Sequence, residues 1–201
     1  QISITTVPVV DAGMDQTACA NTIATLTGSV SGTANTGIWT SSGSGMFAPS
    51  DTSLNVQYLF SDSDTAAGFV NLTLTSTNSC VNIADEQGIT ITSAPKAEAS
   101  FDESACGNDS VIELSAVITH ASGAFWTSDC TGACAPTDTG TAINYTLSPG
   151  DLLDSVIMLV VTTTGNGICN AETDTLYIPV FPAPLVTAGN DQNICLAGSL
   201  N

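Results

Sequence analysis

The chain has 201 residues, one Lys or Arg (Lys96) against 19 Asp plus Glu, and a formal charge of −18. That balance excludes nucleic acid and anionic membrane surfaces as partners, since both are held by cationic side chains near phosphate. It leaves solubility, self-repulsion and cation binding open.

The predicted elements are strands. DAGMDQT (11–17) is the first. ATLTGSV (24–30), GIWTSS (37–42), LNVQYLF (54–60), FVNLTLTST (69–77) and GITITSA (88–94) follow, rich in β-branched and aromatic residues. Val70, Leu72 and Leu74 alternate with Asn71, Thr73 and Thr75, as in a strand with one face buried. Clusters of turn residues, SGTANTG (31–37) and SDSDTAAG (61–68), separate the runs. No stretch carries a helical stripe with caps, so 61–68 reads as a loop. No apolar run reaches the eighteen or so residues of a membrane helix; VIMLVV at 156–161 has the length of a strand. Short strands at regular intervals predict an all-β fold of antiparallel, immunoglobulin-like sandwiches.

The pattern then starts again. DAGMDQTAC (11–19) returns as EASFDESAC (98–106) and as TAGNDQNIC (187–195), placing Cys19, Cys106 and Cys195 at steps of 87 and 89 residues. Trp39 and Trp126, Pro49 and Pro136, and Tyr58 and Tyr145 keep the step of 87; Cys80 and Cys169, and Asp85 and Asp174, keep 89. A fixed period of this kind is the signature of a tandem array. The reading divides the chain into the last strand of a preceding repeat (1–9), two full repeats (10–96 and 97–184) and the first strand of a following one (185–201). It expects a segment of a longer array. Trp39, Trp126, Tyr58 and Tyr145 are read as core aromatics; a sugar-stacking role for the tryptophans is the alternative.

The unit written by these residues, A-G-x-D-Q-x-x-C followed by WTSSGSGMF (39–47), resembles the immunoglobulin-like, PKD-like repeats of giant type IX-secreted surface adhesins of Bacteroidota, of the gliding-motility SprB kind. The resemblance spans 10–96, is weaker over 97–184 and resumes at 185. It implies an extracellular filament, stalk or adhesin at a bacterial surface, possessing no catalytic centre, whose partners are neighbouring repeats, other copies in a filament, or surface glycans. The second unit departs from it, with SDCTGACAP (128–136) in place of the SGSGMF loop. The other reading is a carbohydrate- or calcium-binding accessory module of a secreted multidomain enzyme.

Seven cysteines in so acidic a chain point to an oxidising, extracellular compartment. Cys130 and Cys134 are expected to close their own loop. For the rest two pairings are open. One joins Cys19 to Cys80 and Cys106 to Cys169 within each unit. In the other, Cys19 and Cys80 fall at opposite poles of their unit, roughly 20 Å apart for strands of this length, which no disulfide spans. Units stacked end to end would then set Cys19 against Cys169, and Cys106 against the second cysteine of the following unit, the one that opens with Cys195.

Chemistry beyond disulfides is sparse. His120 is the only histidine, read as a turn residue, and no Ser-His-Asp constellation, phosphate loop or zinc spacing appears. Calcium is the one cofactor considered, with candidate ligands Asp15, Asp62, Asp64, Asp85, Asp151 and Asp174; it needs six to eight oxygens. Asp-Ser/Thr-aliphatic triplets resemble the short O-glycosylation signal of Bacteroidota, which implies candidate sites at Thr65, Ser110, Ser155 and Thr175.

Overall fold

The computed structural model describes residues 6–100, 104–109, 111–129, 133–135, 138–154 and 156–191, with the side chains of 133–135 left aside. Alternation of apolar and polar residues builds two sandwiches in series. The first holds β1 (Val9–Asp11), β2 (Gln16–Cys19), β3 (Ala24–Thr27), β4 (Ser29–Ser31), β5 (Thr36–Ser41), β6 (Met46–Ala48), β7 (Asn55–Leu59), helix α1 (Asp62–Ala67), β8 (Phe69–Thr77) and β9 (Ala84–Thr92). The second holds β10 (Lys96–Ser100), β11 (Ala105–Cys106), β12 (Val111–Thr119), β13 (Gly123–Ser128), β14 (Ala133–Ala135), β15 (Ala142–Thr146), β16 (Val156–Thr164) and β17 (Thr173–Phe181).

Topology repeats with sequence. One layer of the first unit runs β2-β9-β8-β5, and the matching layer of the second runs β11-β17-β16-β13. The facing layers are β3-β7-β6, extended by the β1-β4 pair, and β10-β12-β15-β14. The predicted first strand is thus two strands: β1 pairs antiparallel in one layer, and β2 crosses to pair parallel with β9 in the other. The predicted second strand also breaks, at Gly28. A Cβ there would lie 2.6 Å from Leu74 Cδ2 and 2.7 Å from Trp39 Cζ2, so only glycine lets the backbone pass over the Trp39 ring.

Each core is built from the inward-facing residues of both layers. Val70, Leu72 and Leu74 on β8 and Ile157, Leu159 and Val161 on β16 are fully buried. Trp39 and Trp126 occupy corresponding places. The Trp39 indole N–H donates to the Leu54 carbonyl at 3.3 Å, and that of Trp126 to the Gly140 carbonyl at 3.1 Å. Their backbone N–H groups donate to Asp51 and Asp138 at 2.8 and 2.7 Å. Both rings are packing elements with their one polar group satisfied, as buried tryptophan requires.

A further expectation is corrected. Residues 61–68, read as a loop, contain α1. Ser61 caps its N-terminus: the Ser61 hydroxyl accepts from the Asp64 N–H, and Asp64 returns the bond to the Ser61 N–H. Gly68, at φ 72°, ends it in the left-handed region. Six residues are too few to show an apolar stripe, and the caps are the only local signal.

Replacing Trp39 or Trp126 by Ala is expected to lower the stability of its own unit by about 3–5 kcal/mol, read by denaturant unfolding. A loss below about 1 kcal/mol at either position would contradict its place in the core.

Candidate functional site: the joint between the sandwiches

Parallel pairing of β2 with β9 sets Cys19 beside Thr92, at the end of the first unit that faces the second. A tight turn then holds the chain there. The Cys19 N–H donates to the Thr22 hydroxyl at 3.1 Å, the Thr22 N–H to the Cys19 carbonyl at 2.9 Å, and the Ala20 N–H to the Thr92 carbonyl at 2.9 Å. From the other side comes the turn between β16 and β17. Gly165 and Gly167, at φ 65° and 62°, shape it so that it folds toward the first unit with Cys169 at its tip.

The structure joins Cys19 to Cys169, with Cα atoms 5.1 Å apart and a sequence separation of 150. This is the staggered pairing, not the in-unit one: Cys80 lies in the turn between β8 and β9, at the opposite pole from Cys19. Cross-linking across so long a stretch stabilises by about 5 kcal/mol in the chain-entropy account. Around the bond the two turns are clasped by asparagines. Asn170 N–H donates to Asn21 Oδ1 at 3.2 Å and its side-chain amide to the Asn21 carbonyl at 3.0 Å. The Asn21 amide reaches both the Asn170 carbonyl, at 3.1 Å, and Glu172 Oε1, at 2.9 Å. The Thr92 hydroxyl donates to Cys169 Sγ at 3.8 Å, since a disulfide sulfur has no proton to give.

Beside the clasp lies a groove of about 720 Å³ lined by Thr17, Ile91, His120 and Asn166. His120, at φ 55°, is the turn residue between β12 and β13. Sequence reasoning missed Asn21 and Asn170. The signal was there, because Cys-x-Asn occurs at 19–21 and again at 106–108.

The aspartates proposed as calcium ligands are engaged with protein donors. Asp85 accepts from the Ala12 N–H and Asp174 from the Ala99 N–H, both at 2.8 Å, tying the entering strand of each unit to its last. Asp15 accepts from the Gly88 N–H at 2.8 Å. Asp64 is buried and accepts from Tyr58 Oη at 3.0 Å and from the Ser44 and Ser61 N–H groups; Asp151 accepts from Tyr145 Oη at 3.1 Å and Ser148 N–H at 2.8 Å. Asp62 is exposed in the first turn of α1. Among the described residues no three His, Cys, Asp or Glu gather as a metal set. Of the glycosylation candidates, Thr65 lies on α1, where its hydroxyl donates to the Asp62 carbonyl, and Thr175 is exposed on β17. Ser110, Ser155, Cys130 and Cys195 lie outside the described residues, as does the side chain of Cys134.

Burial pushes the Asp64 carboxyl up, but the N–H groups of Ser61 and Ser44 and the hydroxyls of Tyr58 and Ser61 outweigh it and hold its pKa below 3.8. Burial is likewise the first cause that raises the Tyr58 phenol above 10.0.

No family model matches the chain, and no curated protein does. Among solved structures, the N-terminal eight Ig domains of Down syndrome cell adhesion molecule align with a TM-score of 0.51 at 8% identity, over 86% of this chain and 27% of that one. The insect immune protein hemolin aligns at 0.44 and 15%, over 87% and 46%. A three-Ig stretch of titin aligns at 0.42 and 12%, over 87% and 66%. The chain thus spans less than two thirds of each of these. At such identities the likeness is one of fold, and the fold is an immunoglobulin-like β-sandwich.

Because the folded-state pKa of Asp64 is depressed, its contribution is complete above the unfolded value and is lost as pH falls from about 3.8 through the folded value. The stability difference between the parent protein and Asp64→Asn should be constant from pH 7 to 5 and shrink below 3.8, followed by urea unfolding at each pH. A difference independent of pH down to 2 would contradict the assignment.

Proposed function

We propose that this chain is a structural and adhesive segment of an extracellular surface protein: a stiff stalk or filament made of repeated sandwiches, without a catalytic role. The observation that carries the reading is the covalent joint. A disulfide and a two-asparagine clasp bridge units already connected through Ser93-Ala94-Pro95. Two covalent connections between the same two bodies remove most hinge freedom, and Pro95 restricts the peptide connection further. A disulfide that persists fits an oxidising exterior. The high negative charge keeps neighbouring stalks apart over about 8 Å at physiological salt. The finer reading, a gliding-motility adhesin of a type IX-secreting bacterium, rests on the sequence resemblance and adds that this stalk is carried at a cell surface.

One observation favours a second reading, a binding module. On the outer face of β17, Tyr177 and Phe181 are 63% and 54% exposed, and the flanking β16 presents Val156, Met158 and Val160. The same face of the first unit carries Asn71, Thr73 and Glu86. An uncharged aromatic platform suits a neutral sugar ring.

Two measurements separate these readings. With spin labels on the two units, the inter-unit distance distribution should be narrow in the oxidised protein and broaden in Cys19→Ser/Cys169→Ser; equal widths would remove the stiff-stalk reading. On a panel of neutral glycans, Tyr177→Ala should abolish any binding the parent shows, and a parent that binds none removes the platform.

A further inference from the structure

The second sandwich ends in the same device that the first uses to capture its neighbour. Cys106 closes β11 beside Phe181, at the end of β17, as Cys19 closes β2 beside Thr92 at the end of β9. The turn that follows is the same turn. The Cys106 N–H donates to Asp109 Oδ2 at 2.8 Å, where Cys19 uses the Thr22 hydroxyl. The Asp109 N–H donates to the Cys106 carbonyl at 2.8 Å, and the Gly107 N–H to the Phe181 carbonyl at 2.7 Å, reproducing the Thr22 and Ala20 bonds. Asn108 therefore stands where Asn21 stands. In the first unit this arrangement holds a partner; in the second, Cys106 is a half-exposed thiol.

Resting on the array reading, we propose that Cys106 and Asn108 form a docking site for the near pole of a following repeat whose turn between its last two strands reads Cys-Asn-x-Glu. The occupied twin defines that partner: Cys169 supplies the sulfur, Asn170 the reciprocal amide and Glu172 the second acceptor for the asparagine of the far pole. The sequence continues in the matching direction, since TAGNDQNIC at 187–195 opens as DAGMDQTAC does. The clasp also distinguishes one joint from another. Cys80 is followed by Val81, and Cys195 has Ala197 two places on, so each can contribute a sulfur to a joint but not its asparagine. Only a far pole with Cys-x-Asn meeting a near pole with Cys-Asn makes both.

The bond forms by thiol–disulfide exchange with a small-molecule disulfide such as oxidised glutathione. The Cys106 thiolate attacks the small disulfide and expels one glutathione thiolate. The partner cysteine, as thiolate, then attacks Cys106 Sγ and expels the second. Two protein thiols are oxidised to one disulfide, one glutathione disulfide is reduced to two thiols, and the two protons given up by the protein thiols are taken up by the expelled glutathione thiolates.

The test inserts a second copy of residues 96–184, marked by Cys106→Ser and Ala171→Gly so that its Cys169 peptide differs in mass, after Pro184 in the full chain, equilibrates it in a glutathione redox buffer, traps thiols with N-ethylmaleimide and maps linked peptides. The expected result is a peptide joining Cys106 to Cys169 of the inserted copy, alongside the original Cys19–Cys169 peptide. Asn108→Ala should slow appearance of the new link several-fold while leaving the original link unchanged. Cys106 recovered as the maleimide or glutathione adduct, or joined to any other cysteine, overturns the proposal. If the original link is present in that same digest, the array reading survives the failure; if it too is missing, both fall.

Discussion

The architecture depends on a constraint of parity. In each sandwich the strand that carries the first cysteine runs parallel to the last strand, so that cysteine must emerge at the pole where the chain leaves. The second cysteine lies in the turn before the last strand and must emerge at the pole where the chain enters. The two cysteines of one unit therefore cannot meet, and Cys19 bonds instead to Cys169 of the adjoining unit. The Cys19–Cys169 bond follows from strand direction once units are stacked, and the asparagine clasp fixes the rotation at which they stack.

Within each unit the acidic residues do structural work that their number conceals. Asp85 and Asp174 secure the entering strand to the last one, and Asp64 and Asp151 hold the buried tyrosine hydroxyls of β7 and β15. A carboxylate that accepts from several N–H and O–H donors is stable in its charged form even when buried. Much of the geometry shared by the two units thus rests on anions placed against backbone and tyrosine donors.

The sandwich was legible because its signal is periodic. Val70, Leu72 and Leu74 recur as Ile157, Leu159 and Val161, and the Trp39/Trp126 and Tyr58/Tyr145 pairs mark register across the two copies. What stayed hidden was local or non-periodic. Helix α1 announces itself only by Ser61, Asp64 and Gly68. The split of the first strand turns on backbone direction after Asp11, which side-chain pattern does not encode. Aspartates free to meet a cation are indistinguishable in sequence from aspartates that accept N–H bonds, as Asp85 and Asp174 do. Asn21 and Asn170 are 149 positions apart; Cys-x-Asn recurs at 106–108, but nothing local pairs it with the Cys-Asn of 169–170.

The rivet has a mechanical consequence. Under tension, the shortest covalent route from Thr6 to Asp191 runs along the first strand to Cys19, crosses to Cys169 and leaves along β17. Everything from residue 20 to 168 hangs off this route as a closed side loop. Even with both sandwiches torn open, the ends can separate by only about 120 Å, against roughly 600 Å for an unbridged chain of that length. The bond works as a tether stop: force can unravel either sandwich, yet the ends stay within that limit and both sandwiches remain close enough to refold.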